Sequence, residues 1–271
     1  MRTFVIVEAG SCHDGSLERA QQLVELAKTA GADAVKFQFW SDSARLAKRR
    51  HVDDEDPIRD HYKRYQLPAE WLPILRRAAE KHDLGFLCTT YLPEDVATVA
   101  PLVGIFKVSS FEGADRELLE AHRPFLDDHE LLVSDGGREQ DVLAPTLKVF
   151  TRNRERKRVH LLHCVSAYPA PTDQLNLSIL RRGYAGFSDH SGDTLTGALA
   201  VAVVGPGPLI LEVHAKLEDT ETSNPDAGAF AHSPFSLRRY IDNVRFAEAA
   251  LGNGKKQLQP AERDFVKYRV A

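Results

Sequence analysis

Eight short apolar, β-rich runs alternate with helix-periodic stretches along this chain, and they predict an α/β fold, a closed (β/α)8 or TIM barrel. Two further observations agree. The 271 residues match the roughly 250 residues usual for one such domain. No GxGxxG follows the first run, so an open dinucleotide-binding sheet has no support. A single domain is expected, with the barrel over 1–254 and a charged tail over 255–271.

The first run, Thr3–Val7, ends in Glu8 and a loop bracketed by Gly10 and Gly15. Ser16 can cap a helix whose apolar positions (Leu17, Ala20, Leu23, Val24, Ala27) recur at helical spacing, and Gly31 ends it. Ala34–Phe39 is the second run. Residues 41–67 break the pattern: they are charged and irregular, and so are read as either a functional lid or a solvated loop. Helical character returns over 68–81. Strands follow over 85–90, 104–110, 130–134, 159–164, 185–188 and 209–214. Helices are predicted between them over 94–100, 115–122, 140–151, 175–182 and 194–204, with a last amphipathic helix over 236–252.

The totals exclude several classes. A net charge of −4 gives no basic surface for nucleic acid, and no apolar run approaches a membrane span. Cys12, Cys88 and Cys164 are far apart and form no CxxC, which fits a reducing compartment and a cytoplasmic protein. Cys88 and Cys164 read as small buried hydrophobes. Cys12, beside His13 in a rim loop, can approach a metal.

In a barrel of this kind the site lies at the C-terminal strand ends. Those ends carry Glu8, Lys36, Gln38, Thr89, Lys107, Ser110, Glu112, Ser134, Ser166, Tyr168, Ser188, Asp189, His190 and His214. Two features point to chemistry. Lys36 and Lys107 lie in apolar strands, where an inward ammonium requires an anion; the alternative is a lysine turned outward between helices. Hydroxyls from Thr89, Ser110, Ser134 and Ser188 can complete a cradle for a phosphate or carboxylate. His190 and His214 end neighbouring strands, so they form either a divalent-metal pair or two unrelated structural histidines. Glu8, on the strand next to that of His214, can reach the metal or its bound water.

Five stretches carry a resemblance: VEAGSCHDGSLERAQQLVELAKTAGADAVKFQFW, FKVSSFE, LLHCVSAYPAPTDQLNL, GFSDHSGDTLTGALAVA and LILEVHAKL. They span most of the chain from Val7 to Lys216, and together they resemble the N-acetylneuraminate (sialic acid) synthase family. The resemblance implies a phosphoenolpyruvate-dependent transferase that joins this substrate to a sugar aldehyde, with Mn2+ or Mg2+ as cofactor. It implies His190 and His214 as metal ligands. It implies Lys36, Thr89, Lys107, Ser110, Ser134, Ser166 and Ser188 around phosphoenolpyruvate, and Gln38, Glu112, Tyr168 and Asp226 around the acceptor. Glu8 is then a general base for the attacking water.

The departures are specific. The first loop reads Ser11–Cys12–His13–Asp14–Gly15 where the family has Asn-His-Asn-Gly. Ser166 stands where an amide side chain is usual. Asp135 in Ser134–Asp135–Gly136 is expected to bring a carboxylate near the anion cradle. The family continues into a small antifreeze-like domain, and the chain reaches only Ala271, so the barrel alone is expected. Small-molecule substrates and a homodimer are the expected partners. A metal-dependent isomerase or aldolase without phosphoenolpyruvate, and a non-catalytic barrel acting as partner subunit, are the alternatives.

Overall fold

The computed structural model describes residues 2–139, 147–150 and 152–270. Eight parallel strands close on themselves in chain order. They are β1 (Phe4–Glu8), β2 (Ala34–Phe39), β3 (Gly85–Thr90), β4 (Ile105–Val108), β5 (Glu130–Ser134), β6 (Val159–Cys164), β7 (Gly186–Asp189) and β8 (Ile210–His214). Closure comes from β8 pairing with β1, where Phe4 through Glu8 stand opposite Ile210 through His214. Glu8 stands also opposite Lys36, so one rung of the barrel carries Lys36, Glu8 and His214.

Side chains two apart in a strand share a face. The inward series is therefore Ile6 then Glu8, Ala34 then Lys36, Leu132 then Ser134, and Ile210 then Glu212. Ile6, Ala34, Leu87, Leu132 and Leu162 form an apolar cluster of their own, distinct from the larger core between strands and helices. That cluster floors the barrel, and the polar layer rests on it.

Outside the strands lie α1 (Leu17–Ala30), α2 (Ser43–Arg49), α3 (Ile58–Arg64), α4 (Leu72–Lys81), α5 (Val96–Val99), α6 (Arg116–His122), α7 (Asn153–Lys157), α8 (Thr196–Val204) and α9 (Pro234–Leu251). The Ser16 hydroxyl accepts from the Arg19 amide, and Gly31 closes α1 at φ 90°, as its sequence requires. The helix expected over 175–182 is a 3-10 helix, Leu177–Arg182. The one expected over 140–151 falls largely outside the described residues. The stretch over 255–270 is nearly all exposed and carries a 3-10 helix at Pro260–Tyr268.

Residues 41–67 are more ordered than the sequence suggests, since they fold into α2 and α3. Asp42 caps α2 through the Ala44 and Arg45 amides. Beneath the pair, Trp40, Leu46, Tyr91 and Leu92 make a third apolar cluster, with Tyr62 against it. Among the described residues no helix is long and apolar enough to cross a membrane.

Candidate active site

The C-terminal ends of the strands open into a cavity of about 710 Å³, lined by residues from the strand ends, from α2 and α3, and from the loop after β8. Its floor is charged. Lys36 and Lys107 point inward, 3% and 2% exposed, so the outward alternative fails for both. Lys36 pairs with Glu8, and its ammonium donates to the Thr89 hydroxyl at 2.8 Å. Lys107 reaches the Ser134 hydroxyl at 2.8 Å.

Between the lysines stands Glu212, 3.7 Å from Lys36 and 3.6 Å from Lys107, with the Ser188 hydroxyl donating to it at 2.8 Å. Sequence reading missed Glu212, although it lies two residues before His214 and so shares its face. Burial alone would raise its pKa; the two ammoniums and Ser188 outweigh burial and hold the carboxylate ionised. Burial lowers the Lys36 pKa to about 8, with Lys107 adding to the drop and Glu212 opposing it. A lone ammonium buried here would cost several kcal/mol. Glu8 and Glu212 provide the compensation.

Glu8 stands opposite His214 as expected, but its carboxylate is engaged with other groups. One of its oxygens pairs with Lys36, and the other accepts from the Gly10 amide at 2.7 Å and from Gln38 at 3.0 Å.

The two histidines do converge. Their ring centroids lie 5.3 Å apart. His190 uses Nδ1 to donate to the Val165 carbonyl at 2.9 Å, which leaves Nε2 unprotonated, with the Ser188 hydroxyl 3.4 Å away. His214 Nδ1 is buried without a hydrogen-bond partner among the described residues. Burial pushes both imidazoles down to about 3, so both are neutral donors at physiological pH. Two neutral imidazoles with open lone pairs fit two ligands of a metal site. Among the described residues no group of three His, Cys, Asp or Glu side chains gathers as a metal centre, so the remaining positions would fall to substrate or water.

The remaining expected residues divide. Ser110, Tyr168 and Asp226 line the cavity. Tyr168 stacks on His190 at 4.3 Å, and Asp226 accepts from the Ser11 amide and hydroxyl at 2.7 and 2.8 Å. Ser166 stands one layer back and donates to Ser110 at 2.7 Å. Asp135 turns from the cradle to accept from the Tyr184 hydroxyl, with His163 at 3.9 Å. Cys12 is buried in the main core rather than beside the histidines. Asp189 accepts from Ser191 amide and hydroxyl and so fixes the turn that carries His190.

Glu112 is more engaged than an open acceptor-binding carboxylate. One oxygen accepts from Arg50 at 2.7 Å and the other from the Ser109 hydroxyl. Arg50 had no sequence signal, being one of several charged residues in the segment before α3.

The NeuB family model matches residues 23–256. This chain belongs to the NeuB family. An uncharacterized protein of Methanocaldococcus jannaschii is 30% identical over 97% of this chain and 76% of its own length. N,N'-diacetyllegionaminic acid synthase of Campylobacter jejuni is 29% identical over 96% and 81%. The crystal structure of N-acetylneuraminic acid synthetase from Leptospira borgpetersenii, in complex with citrate, superposes with a TM-score of 0.84 at 25% identity. That match covers 99% of this chain and 92% of the other. Several relatives bear the names of sugar acid synthases, and this chain has the length of a single barrel.

Proposed function

We propose that this protein is a transferase that condenses phosphoenolpyruvate with an aldehyde, a sugar or sugar-like acceptor, in the cytoplasm. The products are a 2-keto-3-deoxy acid and phosphate. One observation carries the proposal: two buried lysines, ringed by hydroxyls, share a cavity with a pair of neutral imidazoles at the C-terminal end of a barrel.

Each group then has work suited to its place. Lys36, Lys107, Thr89, Ser134 and Ser188 bind the trianion, with Ser110 at the wall and Ser166 holding Ser110. His190 and His214 hold Mn2+ or Mg2+, which when bound polarises the acceptor carbonyl. Gln38, Tyr168 and Asp226 orient the acceptor over the enol. The methylene carbon of phosphoenolpyruvate uses its C=C π electrons to form a bond to the carbonyl carbon, the C=O π pair moves to the oxygen, and that oxygen takes a proton from solvent water to become a hydroxyl. Water adds to the cationic C2, giving its proton to Glu8 through the network that Glu8 shares with Lys36 and Gln38. The tetrahedral adduct expels phosphate by C–O cleavage, and the keto group forms. Holding both substrates in one cavity supplies much of the acceleration.

The direct test is phosphate release from phosphoenolpyruvate with manganese and a panel of aldoses, amino sugars and nucleoside aldehydes. A silent panel overturns the proposal. Lys107→Ala should lower kcat/KM for phosphoenolpyruvate by roughly 100-fold, because a buried charge loses its partner. Manganese binding, followed by electron paramagnetic resonance, should persist. Full activity in this variant would remove the anion cradle.

A further inference from the structure

The loop after β8 carries Asp226 on a single turn of 3-10 helix, Pro225–Ala227. A carboxylate on a loop of this kind wanders unless something fixes it. Asn224 is buried, 3% exposed, between the exposed Ser223 and Pro225. Its side chain makes four hydrogen bonds, all that an amide can make. Nδ2 donates to the Ser11 carbonyl at 2.8 Å and to Asp14 at 2.7 Å. Oδ1 accepts from the Asp226 amide at 2.9 Å and lies 2.7 Å from the Ser11 hydroxyl. Asp14 is held in turn by Arg19 of α1 at 3.0 Å, so the chain of contacts ends on a helix. Ser11 passes the constraint to Asp226, since its amide and hydroxyl both meet Oδ2. The fit is close: a Cβ on Gly10 would stand 2.5 Å from that oxygen. Oδ1 of Asp226 makes no hydrogen bond to any described residue, and Asp226 lines the cavity. One carboxylate oxygen is fastened and the other is left for a ligand.

We propose that Asn224 is a positioning residue for the acceptor: it clasps the loop after β8 to the loop after β1 and so sets where the free oxygen of Asp226 stands. This role presupposes the condensation reading above. An ionised carboxylate only accepts hydrogen bonds, so the acceptor group that meets Asp226 is a donor, a hydroxyl or an amide N–H. A shift of about 1 Å in a group that orients a substrate can cost about 100-fold in rate. Lys36, Lys107, Thr89, Ser134 and Ser188 make no hydrogen bond to Asn224, Ser11 or Asp226. Loss of the clasp therefore strikes the acceptor and spares phosphoenolpyruvate.

The test is a double-mutant cycle read on both substrates. Asn224→Ala should lower kcat/KM for the best acceptor of the panel at least tenfold, chiefly through KM. The Kd of phosphoenolpyruvate, measured by calorimetry, should stay within twofold of the wild type. In an Asp226→Ala background the same change should cost less than twofold, because the group it positions is gone. Asn224→Asp sets a carboxylate against the Ser11 carbonyl and Asp14, and should be impaired like Asn224→Ala. Adding Asp14→Asn returns a donor to that contact and should recover at least threefold. Ser11→Ala keeps the main-chain bond to Asp226, so it should cost about threefold, again only while Asp226 is present; it decides the matter if Asn224→Ala does not fold. An unchanged acceptor kcat/KM, an equal loss of phosphoenolpyruvate affinity, or a loss that persists without Asp226 overturns the positioning role alone. A wild type that releases no phosphate with any acceptor overturns the condensation reading and the positioning role with it.

Discussion

Lys36 occupies a position where a cation is hard to keep. Fully enclosed, it depends on Glu8 and Glu212 for its proton, and burial still lowers its pKa to about 8. The sign of the pH dependence follows. An arriving trianion favours the charged ammonium, while the free protein loses that charge as pH rises through about 8. Phosphoenolpyruvate affinity should therefore be full near pH 7 and fall between pH 8 and 9. Calorimetric titration across that range checks it, and Lys36→Met should abolish the break along with most of the affinity. At this scale the sequence was legible where a residue type was out of place. Two lysines in apolar strands could hardly be missed, and His190 and His214 ended adjacent runs. Glu212 was hidden by its neighbours, because LILEVH draws the eye to its apolar residues and its terminal histidine. Asp135 misled, since a carboxylate next to Ser134 in sequence points to the opposite face of the strand end.

At the scale of elements, the eight strands were readable because each is a short apolar run ending in polar residues. α2 and α3 were not, for a physical reason. α3 buries no residue at all and α2 only Leu46 and Ala47, so neither has an apolar stripe to reveal its period. Beyond the small apolar patch under Leu46 and Tyr62, what fastens them is polar and lies far off in sequence: Arg49 to Asp115 and Glu117, and Arg64 to Glu221 at 2.5 Å. Contacts of that kind leave a segment free to open at low cost compared with global unfolding. Asp115 also caps α6 through the Leu118 amide. Asp115→Asn keeps a competent cap while it removes the charge that Arg49 holds. Trypsin should then cut the 43–64 segment several-fold faster, with a melting temperature within about 3 °C of the wild type, as expected for a change of ~1 kcal/mol or less in a domain of this size. Equal cleavage rates would mean the ion pairs do not hold the segment.

For the whole molecule, charge is layered along the barrel axis. An apolar plug of Ile6, Ala34, Leu87, Leu132 and Leu162 lies lowest. Above it come the lysines, carboxylates and histidines, with Lys36, Glu8 and His214 on one rung, and then the rim arginines and aromatics. The strands close through their own hydrogen bonds and cores, and a metal is not needed for that closure. Chelation should therefore abolish phosphate release and leave the far-ultraviolet circular dichroism spectrum unchanged, with activity restored by manganese. A chelated protein that lost its helical signal would assign the ion a structural role.

The separate apolar cluster of Trp40, Leu46, Tyr91 and Leu92 has a bearing on how such a protein changes over time. Because the segment over the cavity packs on this patch and not on the main core, substitutions there are felt by the ligand before they are felt by the barrel. Selection for a new acceptor can thus act on α2 and α3 while the strands stay fixed, which makes this short insertion the natural place to begin directed evolution of the enzyme.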